Sequence, residues 1–144
     1  MKKTAVLFLT VLALNAANIE ERFPGDYFMI HKNLPHYMQV FRMYGDDPVL
    51  GLDATQKQKL SAFQESVVLK VTKAASQIKE LELIVQKRVV HENATSEDLK
   101  ELIAKIAKLR ADLTMEHINC INRVQQVLTP KQRQFFIDKS GIKQ

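Results

Sequence analysis

Between Leu52 and Thr129 the chain contains neither glycine nor proline. Gly51 and Pro130 bound this stretch, and the remaining breakers, Pro24, Gly25, Pro35, Gly45, Pro48 and Gly141, all lie outside it. Lys, Glu, Gln, Leu and Ala dominate the interior, and such residues lose little rotamer freedom in a helix. An uninterrupted run of that composition predicts long helices.

The apolar spacing predicts two of them. Leu60, Phe63, Val67, Val71, Ala74, Ile78, Leu81 and Val85 recur at steps of three and four, as do Leu99, Leu102, Ile106, Leu109 and Leu113. Each series is one apolar stripe on a helix, together a heptad-like, coiled-coil-type seam. Between them, "HENATSEDL" interrupts the stripe, with His91 in the turn and solvated. Thr95 or Ser96 caps the second helix, and Glu97 and Asp98 sit favourably in its first turn. The expected fold is all-α: a long antiparallel helical hairpin with arms of about 33–37 residues, each about 50 Å long at the helical rise. With no Trp and few aromatics, its core is mostly aliphatic.

A five-residue pattern occurs at both ends of the breaker-free stretch: "LDATQ" at Leu52–Gln56 and "LTPKQ" at Leu128–Gln132. Asp53 and Gln56, like Thr129 and Gln132, have the spacing of a helix N-cap and its third residue. The cap oxygen accepts from the third amide while the Gln side chain returns to the cap's own N–H. Pro130 falls at the first helical position, where a missing donor costs nothing. Each pattern therefore starts a helix, the second a short one through "PKQRQFFIDK". Upstream, "LPHYMQVFRMYG" places Tyr37, Val40, Phe41 and Tyr44 on one face, with Pro35 near the start and Gly45 as the stop. This short helix is expected to pack near the hairpin's open end.

The first residues carry a different signal. "MKKTAVLFLTVLALNAAN" combines Lys2 and Lys3, an apolar run from Ala5 to Leu14, and small residues at Ala16 and Ala17. That is the layout of a cleaved signal peptide, residues 1–17, and the run is shorter than the roughly 20 residues of a membrane span. The expected organisation is then a flexible segment over 18–33 and a single helical domain over 34–144. The expected location is the periplasm. Without Lys2 and Lys3 the chain keeps 19 basic against 16 acidic residues. Export and the lack of an aromatic-interleaved basic motif argue against a nucleic-acid partner. A modest positive surface suits anionic envelope components or acidic unfolded segments. Cys120, the single cysteine, has no partner within the chain, so it is buried, metal-bound or paired between chains.

An exported helical chain with an L-[ST]-x-x-Q pattern opening a long hairpin and another closing it resembles the Spy/CpxP family of periplasmic proteins. The family is known for LTxxQ motifs and includes zinc-resistance-associated and heavy-metal sensor relatives. The resemblance covers about Val49 to Ile137. "LTPKQ" fits fully; "LDATQ" departs at Asp53, where Thr is usual, although Asp caps equally well. The resemblance implies bent antiparallel arms and a homodimeric cradle that binds unfolded or aggregation-prone proteins without ATP. It also implies, for some members, restraint of an envelope-stress sensor kinase, and for others binding of zinc, nickel or copper.

Two sets of residues carry the competing readings. For client binding, Val68, Leu69, Leu83 and Ile84 lie beside the seam among Lys70, Lys73, Lys79 and Lys87. A two-arm hairpin covers its own apolar surface poorly, which calls for a second copy or a client. For metal binding, His117 and Cys120 stand three apart on one helix and so share a face, a possible pair of zinc or copper ligands. His36 and Met38 would supply further ligands, and Met115 and His31 lie nearby in sequence, although His31 and His36 straddle Pro35 without regular spacing. Against this, continuing the seam past Leu113 passes through His117, Cys120, Val124 and Val127, which makes both candidates core positions. No Ser–His–Asp order, Gly-rich phosphate loop or H-E-x-x-H suggests an enzyme; His91–Glu92 has no second His four residues on.

Overall fold

The computed structural model describes residues 27–30 and 33–142. Residues 1–17, which the sequence leads one to expect as a signal peptide, most of the 18–33 segment and His31 lie outside the described residues. Within them the protein is all-helical. Four helices follow in order: α1 (Tyr37–Tyr44), α2 (Ala54–Glu92), α3 (Ser96–Val127) and α4 (Pro130–Lys139). None of the described helices is long and apolar enough to cross a membrane.

The long helices differ from the expected lengths. At 39 residues α2 is longer and at 32 residues α3 is slightly shorter. The cause lies in the connection. His91 and Glu92 complete the last turn of α2 rather than forming part of the turn, and the chain reverses over Asn93, Ala94 and Thr95 alone. Asn93 adopts a left-handed conformation, φ 53°, which Asn tolerates better than most residues. Of the two possible caps, Thr95 starts α3.

Contacts pair Gln56 with Val127, Lys70 with Glu116 and Glu82 with Arg110, so α3 runs back along α2. Every seam position predicted above is buried or half-buried. The seam is nevertheless divided into two cores. The base core gathers Tyr37 and Val40 of α1, Leu50, Leu52, Leu60 of α2, Cys120, Ile121 and Val124 of α3, Leu128, and Phe136 of α4. The distal core consists of Val71, Ile78, Ile106 and Leu113, a single layer between two helices.

The short helices close the base through their aromatic residues. Tyr37 meets Phe136 edge-on with ring centroids 5.5 Å apart, and Tyr44 meets Phe135 likewise at 5.8 Å. Gly45 ends α1, though not by adopting a left-handed turn, since its φ is −58°. A Cβ there would stand 2.6 Å from the Phe41 carbonyl oxygen, to which the Gly45 N–H donates at 2.7 Å. Gly is required by this close approach.

The described part of the 18–33 segment is also attached. Tyr27 and Phe28 pack on the distal core, and the Met29 amide donates to Thr114 Oγ1 at 2.9 Å.

Candidate functional site

The two five-residue patterns fold into one interlocked unit. Leu52 and Leu128 enter the same base core. Asp53 accepts from the Gln56 amide at 2.8 Å and Thr129 accepts from the Gln132 amide at 3.3 Å. In return Gln56 Oε1 accepts from Asp53 N–H at 3.1 Å and Gln132 Oε1 from Thr129 N–H at 2.9 Å. Both are complete capping boxes. The variable positions, Ala54, Thr55, Pro130 and Lys131, are exposed.

The Gln side chains also bind each other. With each carbonyl oxygen turned toward a cap N–H, each amide nitrogen is left to donate outward. Gln56 Nε2 donates to Gln132 Oε1 at 2.8 Å, and Gln132 Nε2 donates to Gln56 Oε1 at 3.1 Å. Gln56 Nε2 also donates to the Val127 carbonyl at 2.9 Å, one of the carbonyls left open at the end of α3. Gln132 Nε2 reaches the carbonyls of Gly51 and Leu50 at 3.1 and 3.3 Å. Gln132 is buried, and a buried amide must have all its hydrogen-bonding groups met. Here they are. Helix starts 76 residues apart are thereby joined, which accounts for Leu, the cap oxygen and Gln recurring together.

The four proposed metal ligands are only partly brought together. His36 and His117 stack, ring centroids 4.8 Å apart and planes 20° apart, and Phe28 lies 5.3 Å from His117. His117 Nε2 is 3.2 Å from the Pro35 carbonyl oxygen. Nearly parallel rings direct their in-plane lone pairs side by side, whereas one metal ion needs them to converge. Cys120 is 3% exposed in the base core, where burial pushes its thiol up to about 11 and Glu116 adds to the rise while Arg123 opposes it. A thiol so held is a poor metal ligand, because the thiolate is the form that binds. Met38 packs against the same core. Among the described residues no three His, Cys, Asp or Glu side chains cluster as a metal site. His91 and Met115 are exposed.

Val68, Leu69, Leu83 and Ile84 are all exposed, Leu69 the most at 76%. They form two doublets rather than one patch. Leu69 and Leu83 lie fourteen residues apart on the α2 face turned away from α3, separated by about 21 Å at the helical rise. Val90 continues that face seven residues beyond Leu83 and is exposed as well. Its heptad spacing from Leu83 is visible in the sequence, but its place near the turn hid it. Among the neighbouring lysines, Lys70 is held by Glu116 at 2.8 Å and Lys87 reaches Glu92 at 3.5 Å. Ile103 of α3 is a further exposed apolar residue that the spacing did not single out. Compared with known proteins, the chain matches no family model, no curated protein and no solved structure.

Proposed function

We propose that the chain is an exported, ATP-independent chaperone or envelope-stress modulator of the Spy/CpxP type, a binding protein and not an enzyme. In this reading the helices form a hairpin with short flanking helices, paired as a homodimer in the periplasm, with a sensor kinase as a further partner. The observation that carries it is the pair of exposed apolar doublets on α2, Val68–Leu69 and Leu83–Ile84, set among lysines. Spaced apolar points on a charged, rigid rod suit an extended, unstructured client. Each contact is weak, at about 25 cal/mol per Å² buried, and several engaged together hold a chain that a single one would release.

The test is suppression of aggregation of a denatured client at up to equimolar protein, without ATP and with chelator present. Replacing Val68 and Leu83 by Ser is expected to weaken suppression more than replacing His117 and Cys120 by Ala. Sedimentation equilibrium at micromolar concentration is expected to report twice the chain mass.

The alternative reading, a periplasmic heavy-metal sensor or resistance protein, draws support from the meeting of His36 with His117. A rise in melting temperature with added zinc or copper that His117→Ala abolishes would put it first.

A further inference from the structure

Between the doublets Val68–Leu69 and Leu83–Ile84, the open face of α2 is symmetric in its apolar and basic residues. Leu69, Lys73, Lys79 and Leu83 follow at intervals of four, six and four residues, with Ser76 at the centre. All five are exposed. At the helical period Lys73 lies about 50° to one side of the line joining the leucines, and Lys79 about 50° to the other. Most other charges of the span are engaged: Lys70 is held by Glu116 and Glu82 by Arg110, both partners on α3. Among the described residues Lys73, Lys79 and Glu80 form no ion pair, which leaves two lysines against one acid.

We propose that this face takes an extended acidic segment of an unfolded protein, with apolar residues six apart and acids at the second and fourth positions after the first of them. The proposal rests on the binding reading above and specifies the segment bound. The spacing carries it. An extended chain rises about 3.3 Å per residue and turns alternate side chains to one face, so six residues span about 20 Å. The two apolar side chains then meet Leu69 and Leu83, about 21 Å apart. The acids fall about 7 and 13 Å along, near Lys73 at about 6 Å and Lys79 at about 15 Å. Because the array is symmetric, the segment fits in either direction. Two other occupants fit less well. An antiparallel second copy that matches Leu69 with Leu83 sets Lys73 against Lys79 twice, and like charges so placed repel. A lipid surface calls for a continuous apolar face, which Thr72, Ser76 and Glu80 interrupt.

Fluorescence anisotropy with the expressed protein tests the proposal. The probe is a labelled peptide carrying Leu-Ser-Glu-Ser-Glu-Ser-Leu in a Gly-Ser background. Exchanging its two Glu for Lys is expected to weaken binding about tenfold, as two exposed ion pairs become two repulsions. Placing the second Leu three residues on instead of six, which turns it to the far side, is expected to weaken binding severalfold. Lys73→Glu with Lys79→Glu is expected to reverse the preference for the acidic peptide. Lys105→Glu with Lys131→Glu, an equal charge change elsewhere, is expected to keep it. Equal binding of the two peptides, indifference to leucine spacing, or a preference unmoved by the Lys73 and Lys79 exchange overturns the proposal. Displacement of the acidic peptide by phosphatidylglycerol vesicles, or by self-association as protein concentration rises, overturns it in favour of a lipid surface or a second copy. Aggregation suppression that ignores client charge and spacing removes this proposal and leaves the chaperone reading standing. Peptide binding as described without any suppression does the reverse.

Discussion

The base of the molecule and its far end begin helices with the same device and use it differently. At the far end, Thr95 caps α3 and Asp98 returns to it, accepting from Thr95 N–H at 2.8 Å and from its hydroxyl at 2.7 Å. Both residues are exposed, and the box serves only its own helix. At the base, Gln stands where Asp98 stands, and its amide nitrogen gives what a carboxylate lacks, a donor. Two such boxes bind each other and the backbone around them. A cap is local chemistry; a cap with a spare donor becomes a tertiary contact. The cores follow suit, with four helices and their links converging at the base and a two-helix layer beyond it.

The largest effect is expected from equal truncations in the two cores. Leu60→Ala at the base should cost about 4 kcal/mol and Leu113→Ala in the distal layer about 2, since the open layer collapses more readily onto a cavity. Denaturant unfolding measures both, and equal costs would erase the contrast. Gln132→Glu should cost about 3 kcal/mol at neutral pH by placing a charge without a donor against backbone carbonyls. Thr129→Ala and Asp53→Ala should each cost about 1–2 kcal/mol and Thr95→Ala about 0.5, because only the base caps orient a second group. Thermal melts of the three, compared directly, sharpen the comparison.

Cysteine chemistry probes the base in another way. A thiol raised from 9.0 to about 11 holds roughly 100-fold less thiolate at a given pH below 9. Its contribution to stability is present below pH 9 and is lost as the pH rises through the folded value. Alkylation of Cys120 at pH 8 should therefore follow global unfolding, and rapid labelling of folded protein would show the base core to be open. The smallest effect belongs to Asp98. Hydrogen bonds from the Thr95 side chain and backbone hold its carboxyl below 3.8. Its contribution is present above the ordinary carboxylate value and is lost as pH falls through the lowered one. An NMR titration should find Asp98 below its ordinary value in the parent and closer to it in Thr95→Ala.

What the sequence made legible follows the range of the interaction. Helix starts at Asp53 and Thr129 were readable because a cap and its partner lie three residues apart. The seam was readable because the helical period marks it, down to Cys120 and Val124. Gly45 was readable as a stop from its residue type alone, whereas the close approach to Phe41 that requires it exists only once α1 has formed. The Gln56–Gln132 pair, the His36–His117 stack and the seat of Tyr27 and Phe28 join residues far apart in sequence, and no period or spacing announces them. Val68, Leu69, Leu83 and Ile84 are exposed, but Leu69 and Leu83 lie opposite the seam rather than beside it, and the exposed pair Val89 and Val90 extends the same run of doublets toward the turn.

The central claim is that the repeated pattern is one coupled unit, and a double-mutant cycle on Gln56 and Gln132 tests it directly. Stability is measured by denaturant unfolding for Gln56→Ala, Gln132→Ala and the double variant. Residues in one hydrogen-bond network show coupling of about 0.5–3 kcal/mol, and the reciprocal amide bonds predict at least about 1, with the double variant costing less than the sum of the singles. Strict additivity would contradict the account and leave two independent capping boxes that happen to be neighbours.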